Sequence, residues 1–201
     1  MTGAPRAMTD DTRVAGVILA GGLGRRMGGV DKGLRPLRGK PMVQWVLERF
    51  QPQVDEVLIN ANQHIDEYAQ LGCPVIADRI AGFAGPLAGL HAALSATSLP
   101  LVATVPCDSP FLPADLVARL KDALFEHGAD LAAARTLTQR HPVFSVCRRT
   151  VLAQLAEFLT AGGRKLEQWH GTLSAVEVSF DDQIEAFSNI NTPEELAHFE
   201  H

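Results

Sequence analysis

Several things are scarce or missing in this chain, and each absence removes a class of protein. Cysteine is scarce. The three that occur, Cys73, Cys107 and Cys147, are far apart and never form C-x-x-C, so neither a disulfide framework nor a zinc site is indicated and a reducing cytoplasm is expected. Long hydrophobic runs are missing: no stretch approaches the ~20 apolar residues of a membrane span, and the opening "MTGAPRAMTDDTR" lacks the apolar centre of a signal peptide. Positive charge is not in excess, with 18 Lys and Arg against 23 Asp and Glu for a net charge of -5, which argues against a general nucleic-acid binder. Neither nucleic acid nor membrane is therefore expected as a partner. Linkers, low-complexity segments and internal repeats are also lacking, so residues 1–13 read as a flexible leader and 14–201 as a single domain.

What is present is a regular alternation of strand-length apolar runs and helix-period segments. "VAGVILA" (14–20), "VDEVLINA" (54–61), "PVIA" (74–77) and "LVATVP" (101–106) read as strands, and the continuous apolar character of the first and last suits a parallel sheet covered on both faces. "PMVQWVLERF" opens with Pro41 in a first-turn position and puts Met42, Val43, Val46, Leu47 and Phe50 on one stripe. "PLAGLHAALSA" (86–96) and "PADLVARLKDALFEHG" (113–128, with Gly128 as C-cap) are further helices. Beyond Gly128 the rhythm loosens: 129–135, 141–148 and 175–180 read as strands, 149–160 and 193–200 as helices. The pattern is that of a doubly wound α/β fold, Rossmann-like, with a mostly parallel sheet and helices on both faces.

The first strand runs into "VILAGGLGRRMGGVDKG" (17–33), which holds six glycines, Arg25, Arg26 and Lys32. At the carboxyl edge of a parallel sheet such a loop suits a phosphate, because its free N–H groups can point at the anion. The dinucleotide fingerprint G-x-G-x-x-G fails, since Met27 stands where the third glycine is needed. The P-loop fails as well, because Val30 and Asp31 follow the glycine pair Gly24 and Gly29. Asp108, directly after "LVATVPC", emerges at the same edge. Its carboxylate suits Mg²⁺, which takes one or two protein carboxylates plus phosphate oxygens and water, or it caps the turn "CDSP". No G-x-S-x-G elbow and no cysteine beside a histidine suggest a covalent nucleophile.

The loop resembles an expanded form of the nucleotidyltransferase signature L-A-G-G-x-G-x-R-M-G-x-x-K. With "NAN" (60–62), "IADRIAGFAGPLAGL" (76–90), "PCDSPFLP" (106–113), "HPVFSV" (141–146) and "NINTPEEL" (189–196) in order, the chain resembles the molybdenum cofactor guanylyltransferase family from Val14 to Phe199. The resemblance implies an enzyme that transfers GMP from GTP to molybdopterin, molybdenum-loaded or not, with release of pyrophosphate and with Mg²⁺ as cofactor. It further implies nucleotide contacts from Leu19, Ala20, Gly21 and Gly22, from Lys32 on phosphate, from Asn60 and Asp78, and from Gly85, Pro86 and Leu87. Arg25 and Arg26 join as forked phosphate donors, so that Lys32, Asp108 and Arg26 form the candidate catalytic set. Asp108 becomes a metal ligand, with Asn189 favoured over Asn191 as a second. Thr192 and Glu195 have capping-box spacing.

For the acceptor, Arg135, His141, Arg164, Lys165 and Asn191 are candidate pterin contacts. Molybdenum-insertion proteins and apo-molybdoenzymes would be the macromolecular partners. The cytidylyltransferases that modify the same pterin resemble this family but carry L-A-A-G where this chain has Leu19-Ala20-Gly21-Gly22, and the missing methyl group leaves room for a purine. Cytidylyl, sugar-phosphate or phospho-acid transfer, and a non-catalytic carrier of the finished cofactor, are the alternative readings.

Overall fold

A computed structural model describes residues 12–20, 31–80, 85–188 and 190. The first strand, β1 (Val14–Leu19), is central. A small hairpin follows, β2 (Pro36–Leu37) and β3 (Lys40–Pro41), turning at Arg38 and Gly39, both at positive φ. Then come α1 (Met42–Phe50), β4 (Glu56–Asn60), α2 (Ile65–Ala69), β5 (Val75–Ile76), α3 (Pro86–Ala96) and β6 (Leu101–Pro106). The second half contributes α4 (Leu116–Glu126), β7 (Leu131–Thr136), β8 (Gln139–Arg148), α5 (Leu152–Thr160), α6 (Leu166–His170) and β9 (Ala175–Ser179).

Seven strands form one sheet in the order β5-β4-β1-β6-β8-β7-β9. All neighbouring pairs are parallel except the two made by β8, which runs against β6 and β7. The expected doubly wound, mostly parallel sheet is thus present. The alternation of strand side chains explains its two cores. Val14 and Ile18 of β1 join Leu101, Ala103 and Val105 of β6 under α1 and α4, whereas Ala15, Val17 and Val102 face Leu87, Leu90 and Leu94 of α3 and Leu155 and Leu159 of α5. The expected stripe of Met42, Val43, Val46, Leu47 and Phe50 is buried throughout. Burial of this kind stabilises by roughly 25 cal/mol per Å² of apolar surface, and it fixes which way the polar ends of the strands point.

Several boundaries differ from the sequence pattern. Pro41 ends β3 and stands at the N-cap of α1 rather than inside its first turn. The 113–128 helix is shorter, Leu116–Glu126, because the proline-bounded segment before Asp115 turns first, and 149–151 is a 3-10 turn preceding α5. The hairpin β2–β3, α2 and α6 carry too few residues for a periodic signal. The 193–200 helix lies outside the described residues. Among the described residues no helix is long and apolar enough to cross a membrane.

Candidate active site

The chain leaves β1 for β4 and β5 on one side and returns to β6 on the other, so the strand order reverses between β1 and β6. In open α/β sheets the crevice at the carboxyl ends of such strands is where ligands bind. The edge is closely tied here: Cys107 N–H donates to Leu19 O at 3.2 Å and Ala20 N–H to Asn60 O at 2.8 Å.

Asp108 follows β6 at this edge and is 9% exposed. Lys32 Nζ donates to its Oδ2 at 3.3 Å. The two residues singled out as phosphate and metal partners therefore meet. The segment around 190 comes to the same place, since Ile190 N–H donates to Asp108 O at 3.0 Å and the Ile190 side chain packs with Leu37 and Met42. Asn189 and Asn191 themselves fall outside the described residues, as do Gly21, Gly22, Arg25 and Arg26.

On the β4 side Asn60 and Asp78 also converge. Asn60, 3% exposed, donates from Nδ2 to Asp78 Oδ1 at 3.0 Å and to Ile76 O at 3.2 Å. Asn62, not singled out in the sequence, completes the cluster: its Nδ2 donates to Asp78 Oδ2 at 2.8 Å and its Oδ1 accepts Asp78 N–H at 2.9 Å. The two-residue spacing in "NAN" places both amides on one face, a signal that was there to use. The start of α3 crosses directly above, where a Cβ on Gly89 would lie 2.3 Å from Asn60 Oδ1 and 2.7 Å from Leu19 Cδ2, so only glycine permits this approach. Gly85 and Pro86 are exposed at that end. Leu87 is not; at 1% exposure its side chain packs into the core beside α5 and β1, which leaves only its backbone for the expected binding wall.

The candidate acceptor residues divide into two groups. Arg135, at the end of β7, reaches Glu177 Oε2 and Asp181 Oδ1, both at 4.0 Å, and donates to Leu137 O. His141, on β8, shares a hydrogen bond of 2.7 Å with Thr136 Oγ1 and stacks on Phe187, and burial lowers its pKa. Arg164 and Lys165 are exposed in the connection between α5 and α6, where Arg164 Nη1 donates to Gly163 O at 2.7 Å. Cys107 and Cys147 are buried, as expected of small apolar residues, although only Cys147 lies in a strand, Cys107 standing in the turn just past β6; burial raises both thiols.

Residues 16–175 match the MobA-like NTP transferase domain. The chain is 49% identical over 188 residues to the molybdenum cofactor guanylyltransferase of Cupriavidus necator, covering 91% of this chain and 94% of that protein. The chain belongs to the molybdenum cofactor guanylyltransferase family. It is a nucleotidyltransferase. The enzyme of the same name from Shewanella putrefaciens is 48% identical over 183 residues, 91% of this chain and 94% of that one. Among solved structures, molybdopterin-guanine dinucleotide biosynthesis protein A from Archaeoglobus fulgidus superposes with a TM-score of 0.78 at 26% identity, over 93% of this chain and 96% of that one. The 4-diphosphocytidyl-2C-methyl-D-erythritol synthase of Anaerococcus prevotii shares the fold at a TM-score of 0.75 and 13% identity, covering 97% of both chains. The meeting of Lys32 and Asp108 at the sheet edge is a feature of the fold and stands independently of these likenesses.

Proposed function

We propose that the chain transfers GMP from GTP to molybdopterin in the cytoplasm, forming the guanine dinucleotide of the cofactor and releasing pyrophosphate. An oxygen of the acceptor's phosphate bonds to the α-phosphorus of GTP, and the bond from that phosphorus to the oxygen bridging to the β-phosphate breaks. The nucleophile comes from the substrate, so the protein's work is alignment and charge neutralisation. The observation that carries this reading is the ion pair of Lys32 and Asp108 at the switch point, which sets a cation and a carboxylate side by side where a triphosphate would lie.

Lys32, with Arg25 and Arg26 from the glycine-rich loop, holds the phosphates. Leu19, Ala20, Gly21, Gly22, Asn60, Asp78, Gly85 and Pro86 form the nucleotide side. Mg²⁺ suits the donor set. Among the described residues no three His, Cys, Asp or Glu side chains gather into a cage. A single largely buried carboxylate, Asp108, matches an ion that completes its shell with phosphate oxygens and water. Asn189 is its second candidate ligand. When bound, such an ion withdraws charge from the phosphoryl oxygens. Arg135, His141, Arg164, Lys165 and Asn191 are assigned to the acceptor, and molybdenum-insertion proteins and apo-molybdoenzymes to supply and receive the cofactor.

The test is pyrophosphate release by purified protein with molybdopterin and Mg²⁺ and with GTP, CTP or ATP in turn. GTP is expected to be used readily and the others poorly, because a wrong base leaves buried hydrogen-bonding groups unpaired. Gly21→Ala is expected to erode the preference. A preference for CTP in the unmodified protein overturns the guanylyl assignment.

A further inference from the structure

The chain's single tyrosine has no part in the chemistry above, yet it is held at the base of the loop that carries Lys32. Tyr68 lies on α2, fully buried, and its hydroxyl donates to Asp31 Oδ1 at 2.6 Å. That is the length of a hydrogen bond to an ionised carboxylate. The same Oδ1 accepts Gly33 N–H at 3.0 Å, so Asp31 closes a local turn around Lys32. Two further bonds anchor the turn: Arg35 N–H to Lys32 O at 3.3 Å and Val43 N–H to Gly33 O at 2.9 Å. Packing is at its limit there. A Cβ on Gly33 would lie 2.6 Å from the Tyr68 hydroxyl and 3.1 Å from Cys107 Cβ, the residue next to Asp108.

A buried ring alone would not require the hydroxyl, since phenylalanine offers nearly the same apolar volume. The hydroxyl is what links α2 to Asp31, and burial holds it in its protonated, donating form. Tyr68 thus holds the turn through Asp31, while Asp108 meets the ammonium of Lys32 in that same turn.

We propose that Tyr68 is a positioning residue for nucleotidyl transfer: its hydroxyl, through Asp31, fixes the turn that presents Lys32 to Asp108 and to the triphosphate. The inference rests on the assignment of Lys32 to phosphate. Losing the link lets the ammonium drift while leaving every phosphate-binding group present, so the loss falls on kcat more than on KM.

Tyr68→Phe tests this in the pyrophosphate-release assay with GTP. Its kcat is expected to fall about tenfold, with KM for GTP nearly unchanged, since displacement of a reacting group by ~1 Å costs up to about 10²-fold. The deciding measurement is the double variant: added to Lys32→Ala, Tyr68→Phe is expected to lower kcat no further. A kcat unchanged in Tyr68→Phe overturns the proposal, and so does an undiminished further loss in the Lys32→Ala background, which marks a merely structural role. If Lys32→Ala itself leaves kcat and KM unchanged, the assignment of Lys32 falls and this inference with it. If Lys32→Ala is impaired and Tyr68→Phe is not, only the inference falls. Should Tyr68→Phe not fold, Asp31→Asn weakens the same link, with the same loss of kcat and the same absence of additivity expected.

Discussion

Lys32 and Asp108 stand 76 positions apart in the chain and 3.3 Å apart in the fold, the ammonium against Oδ2. The lysine side chain is 31% exposed and the aspartate side chain 12%, so the pair faces solvent through the lysine. Its contribution to stability is small, as for most partly exposed ion pairs. Its value is positional, because it brings opposite charges to the mouth of a crevice that two diverging halves of the sheet create.

Asp108→Asn keeps the shape of the side chain and removes its charge. Pyrophosphate release is expected to fall by about 10²–10³-fold, the scale of losing one charge-stabilising group in a reacting site. The thermal midpoint should change little. Near-normal turnover by the folded variant would remove Asp108 from the site.

Asn60→Ala withdraws two hydrogen bonds from the cluster that holds Asp78. Asn62 still bonds Asp78 through both its amide atoms. The expected result is partial: KM for GTP rises about tenfold with kcat nearly constant, the pattern of lost uniform binding. Steady-state kinetics over a range of GTP concentrations decide it, and a fall in kcat at constant KM would contradict the assignment.

Gly89→Ala drives a methyl group against Asn60 and Leu19. Overpacking of this kind destabilises by about 1–3 kcal/mol, and displacement of Asn60 should raise KM for GTP as well. Because the clash is shared with Asn60, part of the stability loss should vanish in the Asn60→Ala background. Urea unfolding of the two single variants and the double variant measures this, and full additivity would show that the contact is relieved some other way.

His170 ends α6 with Nε2 buried and, among the described residues, unpartnered. Burial pulls its pKa down to about 4; Glu167 opposes the shift and Arg140 adds to it. An unfolded histidine takes up its proton near ~6.5. Between pH 6.5 and 4 the unfolded chain therefore binds more protons at this position, and stability falls with pH, by up to ~3 kcal/mol once the window is crossed. His170→Gln should flatten the acid side of the stability curve, read as urea midpoints at pH 7, 5.5 and 4.5. Parallel curves for the two proteins would refute it.

Much of this molecule is written locally. The continuous apolar runs of β1 and β6 and the helical stripe of α1 needed only periodicity to be recognised, and residues at the ends of parallel strands, Asn60 and Asp108, had to reach one edge once the sheet was parallel. Composition and place lead to the expectation of a phosphate site in the glycine-rich segment after β1, most of which lies outside the described residues. Other features required the three-dimensional fold, because they depend on sheet order and on helices too short to carry a periodic pattern. Tyr68 meets Asp31 only because the short helix α2, about a turn and a half long, returns against the segment that begins at Asp31. Arg135, a free cation by its sequence, reaches Glu177 because β9 lies in parallel register beside β7 and pairs Arg135 with Ser179, and neighbours two residues back along a strand share its face. Hydrophobic patterning decides which face of a strand is buried; which polar side chain meets which across neighbouring strands is decided by topology and register, which no local run of residues encodes.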